Sequence, residues 1–320
     1  MDMALLLVFG LAFYITWGIG SNDQNMAPLT GSGLLNITAI TILGGISAFL
    51  GAVLMGGRVE ETIGRGLLSG TVVPLETLII VFSIATWLTI ASYFGWPVST
   101  THSAVGAVLG MGWIKWGIDG IVWNNILKIL FSWVASPVIG LLATMSLVLL
   151  TKSFLQHRVQ GLRRYIRLTR YFAYFLLFWS CFMSFIAGAN NIGNATAFLS
   201  LQSAYDPTVV RAVVSLGMLL GLVILGRRVI RSVGSKLVEL TPITGLSTQI
   251  CVSSVMLVGT YLGIPLSSTQ ILVGAITGVG LAEGSWIDLN RLSKIFCIWL
   301  VTFLGAASIS AVTYLSIHLF

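Results

Sequence analysis

One spacing governs what this chain can fold into. Gly95-Trp-Pro-Val-Ser-Thr-Thr101 recurs 168 positions later as Gly263-Ile-Pro-Leu-Ser-Ser-Thr269. The same offset lays Gly20-Ser21-Asn22-Asp23 over Gly188-Ala189-Asn190-Asn191, and Pro74 over Pro242. Across residues 95–110 and their counterparts, 8 of 16 positions are identical. Small residues are common at contacts between membrane helices, but that tendency does not place three separate motifs at one offset. The chain therefore reads as a gapless internal duplication. Its copies are residues 1–151 and 171–320, joined by a polar segment, 152–170.

Each copy is too apolar to fold as a water-soluble body. The 320 residues are 56% hydrophobic and 8% charged, far below the charge that covers a soluble surface. The formal charge of +7 is no nucleic-acid footprint, because the cations gather between apolar runs instead of alternating with aromatics. Cys181, Cys251 and Cys297 lie in apolar stretches without metal-ligand spacing, so neither a metal site nor a disulfide framework is expected. The first apolar run lacks a preceding basic region and a small-residue cleavage pattern, and reads as a span instead of a removable signal.

The expected fold is an all-α polytopic membrane protein. Runs long enough to be candidate spans occupy 3–19, 34–56, 69–94, 98–114, 121–150, 171–187, 209–225, 240–262, 266–281 and 295–317. Gly and Pro interrupt them in pairs at 20–33 and 188–194, and at 95–97 and 263–265. The first pair predicts broken helices. The second predicts Pro-led hairpins.

Charge sets the orientation of the copies. Lys152, Arg158, Arg163, Arg164, Arg167 and Arg170 place the connecting segment in the cytoplasm by the positive-inside rule. A span broken at Gly188 would then cross outward to Tyr205-Asp206-Pro207, and the next would return to a loop with Arg227, Arg228, Arg231 and Lys236. The corresponding loop of the first copy, 59–68, carries Glu60 and Glu61 instead. Equivalent loops on opposite faces indicate inverted repeats. With Arg291 and Lys294, 12 of the 17 cations fall inside, and both termini fall outside.

Irregular backbone inside a bilayer is tolerated only against protein or a watery cavity. Two symmetry-related pairs of breaks therefore mark a transport site where the copies meet. Asp23 follows an almost wholly apolar run, where a carboxylate calls for a cation, a proton or a polar substrate group. Asn22, Asn25, Asn190, Asn191 and Asn194 bring amide oxygens for a hard cation and N–H groups for an anion. Ser99, Thr100 and Thr101, and Ser267, Ser268 and Thr269, follow prolines as helix starts do, and hydroxyls with free N–H groups there suit an anion. Neutral donors favour release, since a fixed guanidinium holds an oxyanion tightly. His102 reads either as a proton-linked switch or as a hydrogen-bonded core residue. Glu76 and Glu239 are each candidates for ion coupling, and an interfacial position fits each at least as well.

These motifs resemble the inorganic phosphate transporter (PiT) family of sodium- or proton-coupled symporters, whose halves each carry a G-A-N-D-x-x-N-A signature and a P-V-S-T-T-H hairpin start. The resemblance covers essentially the whole chain. It implies import of inorganic phosphate by alternating access, commonly in a homodimer in the plasma membrane, with no cofactor beyond Na+ as a coupling ion. Carried over residue by residue, it names Asn22, Asp23, Ser99, Thr100, Thr101, Asn190, Asn194, Ser267, Ser268 and Thr269. Joined to the residues read above, the expected substrate site is Asn22, Asp23, Ser99, Thr100, Thr101, Asn190, Asn191, Ser267, Ser268 and Thr269, and the expected coupling-cation site is Asp23, Asn22, Asn25, Asn190, Asn194 and Glu76.

The sequence departs from that pattern at Met26, Asn191 and Gln270, which stand where Asn, Asp and His are expected. One of two carboxylates is missing. A carboxylate accepts the proton of hydrogen phosphate and repels sulfate, so its loss weakens that discrimination. Sulfate or a related oxyanion is the alternative substrate, and an anion channel is the alternative class. An enzyme ranks last, because His102 and Asp23 stand in separate motifs without a nucleophile, base and metal arrangement.

Overall fold

The computed structural model describes residues 3–197, 206–234 and 237–319. Tyr205 and Lys236 lie outside the described residues. Among the described residues twelve α-helices are seen: α1 (Met3–Ser21), α2 (Ile37–Met55), α3 (Gly57–Gly66), α4 (Pro74–Phe94), α5 (Thr100–Trp116), α6 (Trp123–Arg158), α7 (Leu162–Thr196), α8 (Pro207–Ile224), α9 (Gly226–Gly234), α10 (Pro242–Tyr261), α11 (Ser268–Glu283) and α12 (Leu289–Leu319). Among the described residues the β-structure is a single bridge, Leu68 with Ile121. Seven helices, α2, α4, α6, α7, α8, α10 and α12, are long and apolar enough to cross a membrane. The protein is an all-helical, multi-pass membrane protein.

The duplication is visible in which helices pack together. The α1–α8 pair mirrors α7–α2, α5–α12 mirrors α11–α6, and α1–α4 mirrors α7–α10. The copies interlock, since α1, α2, α5 and α6 all pack against helices of the other copy. Close backbone approaches repeat this pattern through glycine. A Cβ at Gly51 would collide with the Phe185 carbonyl, and one at Gly221 with that of Trp17. These pairs also show that the duplication is not gapless. Gly51 and Gly221 stand 170 apart, whereas Gly106 and Gly274 stand 168 apart and meet carbonyls of Phe303 and Pro137, 166 apart. Small length differences in the connections shift the register of whole helices without disturbing their contacts.

Two helical hairpins form the centre. Pro74 and Pro242 begin α4 and α10, where a missing N–H costs nothing. Gly95 and Gly263 take positive φ, 68° and 71°, at the turns that follow. Ser99 and Ser267 then cap α5 and α11, each accepting an N–H three residues on. Backbone bonds from Ser69 to Gly120 and from Val122 to Leu67, both 3.0 Å, join the two ends of the first hairpin. The α4–α5 unit therefore returns to the side it left.

The two hairpins point in opposite directions. Helix α3 ends beside the base of the first hairpin, where Asn125 donates to the Gly66 carbonyl at 2.8 Å. Its other end meets the tip of the second, where Arg58 donates to the Tyr261 carbonyl at 2.9 Å and lies over the Tyr261 ring. Helix α9 does the reverse: Arg228 donates to the Tyr93 carbonyl at 3.1 Å and lies over the Tyr93 ring. One hairpin's tip thus shares a face with the other's base, as inverted copies require.

Three sequence expectations change. The segments 59–68 and 227–236 are not loops: most of each belongs to a short helix, α3 or α9, whose apolar sides Val59 and Ile63, or Val229 and Val233, are buried. The connecting segment 152–170 is mostly helix, continuing α6 and beginning α7, with a turn at 159–161. The expected break at 188–194 is absent, for α7 runs on to Thr196. The first copy does break, after Ser21. Pro28 and the carboxylate of Asp23, which accepts the Asn25 N–H at 2.7 Å, both oppose a continued helix there. The second copy has Asn191 in place of that Asp and no proline through Thr196.

Candidate functional site

The break after α1, the two hairpin starts and the Asn-rich end of α7 meet in one buried polar region. Thr100 donates to the Asn191 carbonyl oxygen at 3.1 Å, linking the first hairpin to α7. Gln24 donates to the Thr269 hydroxyl, linking the break to the second hairpin. Thr269 donates to the Val98 carbonyl at 3.1 Å, so the hairpins touch directly. Asp23, Asn25, Asn190, Asn191, Asn194, Ser267, Ser268 and Thr269 are all buried.

Two expected ligands have another task. Asn22 donates to the Trp96 carbonyl at 2.9 Å and accepts the Val98 N–H at 3.2 Å. Asn190 does the equivalent, donating to Ile264 at 3.1 Å and to Thr260 at 3.0 Å. Both amides brace the turn that precedes a hairpin start. Asn22 is thereby committed to the scaffold, whereas the Asn190 carbonyl oxygen remains buried without a partner.

The hairpin starts have donors to spare. Ser99 caps the His102 N–H at 3.2 Å and pairs with the Thr101 hydroxyl at 2.9 Å. Ser267 caps the Gln270 N–H at 3.3 Å. The N–H groups of Thr100, Thr101, Ser268 and Thr269 have no partner among the described residues. Each set stands at the positive end of a helix, as an oxyanion site needs.

Oxygen donors for a cation lie alongside. The side-chain oxygens of Gln24, Asn25, Asn190, Asn194 and Gln249 are buried and unpartnered among the described residues. An unpaired buried amide is costly, and with the Asp23 carboxylate these neutral oxygens suit a hard monovalent cation. Gln24 and Gln249 were not singled out from the sequence. An amide inside an apolar run was the available signal for Gln249, which donates to the Asn25 carbonyl at 2.6 Å and to Ser180 at 3.1 Å.

Glu76 and Met26 do not join the cluster. Glu76 pairs with Lys115 and accepts the Val73 N–H at 2.9 Å, closing the base of the first hairpin. Sixteen residues of α4 separate it from Ser92, which touches Asn22, a distance of about 24 Å along the helix. Met26 is buried in apolar core beside Gly44 and Leu222. His102, beside Gln270 of the second hairpin start, packs at a tilt of 33° on Trp133, with ring centroids 3.7 Å apart, and pairs through Nδ1 with the Trp299 carbonyl at 3.3 Å.

Comparison with known proteins bears on the fold and the family. A solved structure described as the sodium-dependent phosphate transporter superposes with a TM-score of 0.88, at 27% identity and with both chains fully covered. A putative phosphate permease of Chlamydia pneumoniae is 29% identical over 99% of both chains. The chloroplastic inorganic phosphate transporter 2-1 of Arabidopsis thaliana is 28% identical over 96% of this chain and 70% of its own. The model of the phosphate transporter family matches residues 18–310, so the chain belongs to that family.

Proposed function

We propose that this protein imports inorganic phosphate together with a cation, sodium foremost, by alternating access. One observation carries the reading. Two helix starts of opposite origin, each with unpartnered N–H groups, are joined by the Thr269 to Val98 bond beside the single carboxylate of Asp23. Phosphate would lie between Thr100, Thr101, Ser268 and Thr269. Asp23 would accept its remaining proton, which sulfate lacks at neutral pH. The unpartnered oxygens of Asn25, Asn190, Asn194, Gln24 and Gln249 would hold the cation, and a neighbour described as sodium-dependent supports sodium over protons. The positive-inside rule would put the cation-rich face inside and both termini outside, and a homodimer in the plasma membrane is the expected setting.

A second reading has its own support. Asn191 stands where a second carboxylate is expected, which favours a transporter that also accepts sulfate. Substitution of the remaining carboxylate tests the role of Asp23. In proteoliposomes, Asp23→Asn should abolish gradient-driven phosphate uptake while the purified variant keeps its helical content. Unchanged uptake would remove Asp23 from the mechanism.

A further inference from the structure

The inverted copies place two tryptophans in matching positions with unequal bonding. Trp299 on α12 and Trp133 on α6 stand 166 apart, the register that relates these two helices. Trp299 donates its indole N–H to the Pro97 carbonyl, at the turn into the first hairpin's second arm, at 3.1 Å. The matching bond would run from Trp133 to Pro265. It is not made: the Trp133 indole N–H is buried and has no partner among the described residues. A buried orphan donor carries a penalty that a second arrangement of the chain would relieve.

Two cavities carry the same asymmetry. One of about 340 Å³ lies against Pro97, Ile295 and Lys294. The other, about 910 Å³, lies against the matching Pro265, Ile129 and Lys128. The smaller adjoins the tip of the first hairpin and the larger the tip of the second, so they stand on opposite faces. The hairpin whose proline carbonyl is bonded faces the small cavity. The hairpin without that bond faces the large one.

We infer that Trp299 and Trp133 are alternating latches for the two hairpins, positioning residues that hold the site closed first to one face and then to the other. In the second arrangement Trp133 donates to the Pro265 carbonyl, Trp299 releases Pro97, and the cavity volumes exchange. The proposal rests on the transport reading for its purpose, but its geometry does not depend on which anion is carried.

The test reads accessibility from each face. In a background with Cys181, Cys251 and Cys297 replaced by Ser, Ser132→Cys reports the large cavity and Ile298→Cys the small one. Labelling rates with a membrane-impermeant maleimide are measured in sealed vesicles of both orientations. One indole hydrogen bond shifts a two-state ratio about five-fold. Trp299→Phe should raise labelling at position 298 relative to position 132 by that factor, and Trp133→Phe should lower it. The double variant should return towards the parent ratio, which a folding defect would not do. Equal shifts in one direction, or no shift in either variant, would overturn the latch. Phosphate uptake in the same vesicles separates the two ideas: absent uptake with opposite labelling shifts refutes the substrate and keeps the latch.

Discussion

Asn22 separates a scaffold role from a ligand role, because Asp at this position has opposite consequences in the two. Its amide spans from the break after α1 to the first hairpin, donating to Trp96 and accepting from the fully buried Val98 N–H. Asn22→Ala removes both bonds together with the longer one to the Ser92 hydroxyl at 3.4 Å. Val98 N–H keeps only a bond to the Trp96 carbonyl two residues back, so the loss should be about 1–3 kcal/mol of stability. Asn22→Asp is the sharper change. It keeps an acceptor for Val98 but turns a carboxylate oxygen towards the Trp96 carbonyl, 2.9 Å from the present donor, and buries a charge without a cation. That should cost about 3–5 kcal/mol, as an uncompensated buried charge does. Thermal unfolding of the purified variants in detergent, with and without sodium, reads both effects. If Asn22 ligated the cation, Asp would tighten it, and sodium would stabilise the variant more than the parent. An Asn22→Asp protein as stable as the parent, with a larger sodium-dependent shift, would refute the clamp.

Two further outcomes follow from the site as built. Glu76→Gln should weaken the base of the first hairpin by about 1–3 kcal/mol, since its partner Lys115 loses a charged bond. Sodium dependence of uptake should stay unchanged, and a lost dependence would return Glu76 to the coupling site. Asn191→Asp can still accept the Thr100 hydroxyl and restores a second carboxylate, so competition assays should show sulfate inhibiting phosphate uptake less than in the parent. Equal inhibition would detach anion choice from this position.

The sequence carried more of the architecture than of the bonding. One repeated spacing located both hairpins and the break after α1, because Pro, Gly and capping Ser act locally on the backbone, and the placement of Lys and Arg gave the opposed orientation of the copies. It did not show that α7 would pass straight through its Asn-rich end. That outcome turns on Pro28 and Asp23, which the two copies do not share. The short helices α3 and α9 were illegible because a span needs about five to six turns of apolar sequence, whereas fewer than three turns with one buried side resemble a charged loop. The roles of Asn22, Asn190 and Glu76 were illegible for a different reason. Whether a polar side chain faces a cavity or binds its own backbone depends on contacts over 70 residues away, as between Asn22 and Trp96. Trp133 and Trp299 gained meaning only when the shifted register matched them.

What the protein carries and what drives it can be read in one transport measurement. Purified protein in proteoliposomes should be given labelled phosphate or labelled sulfate, under a sodium gradient and a proton gradient imposed separately. Saturable phosphate accumulation under the inward sodium gradient, with little sulfate uptake, is expected. Accumulation of sulfate without phosphate, or conductance of either anion that ignores both gradients, would contradict it.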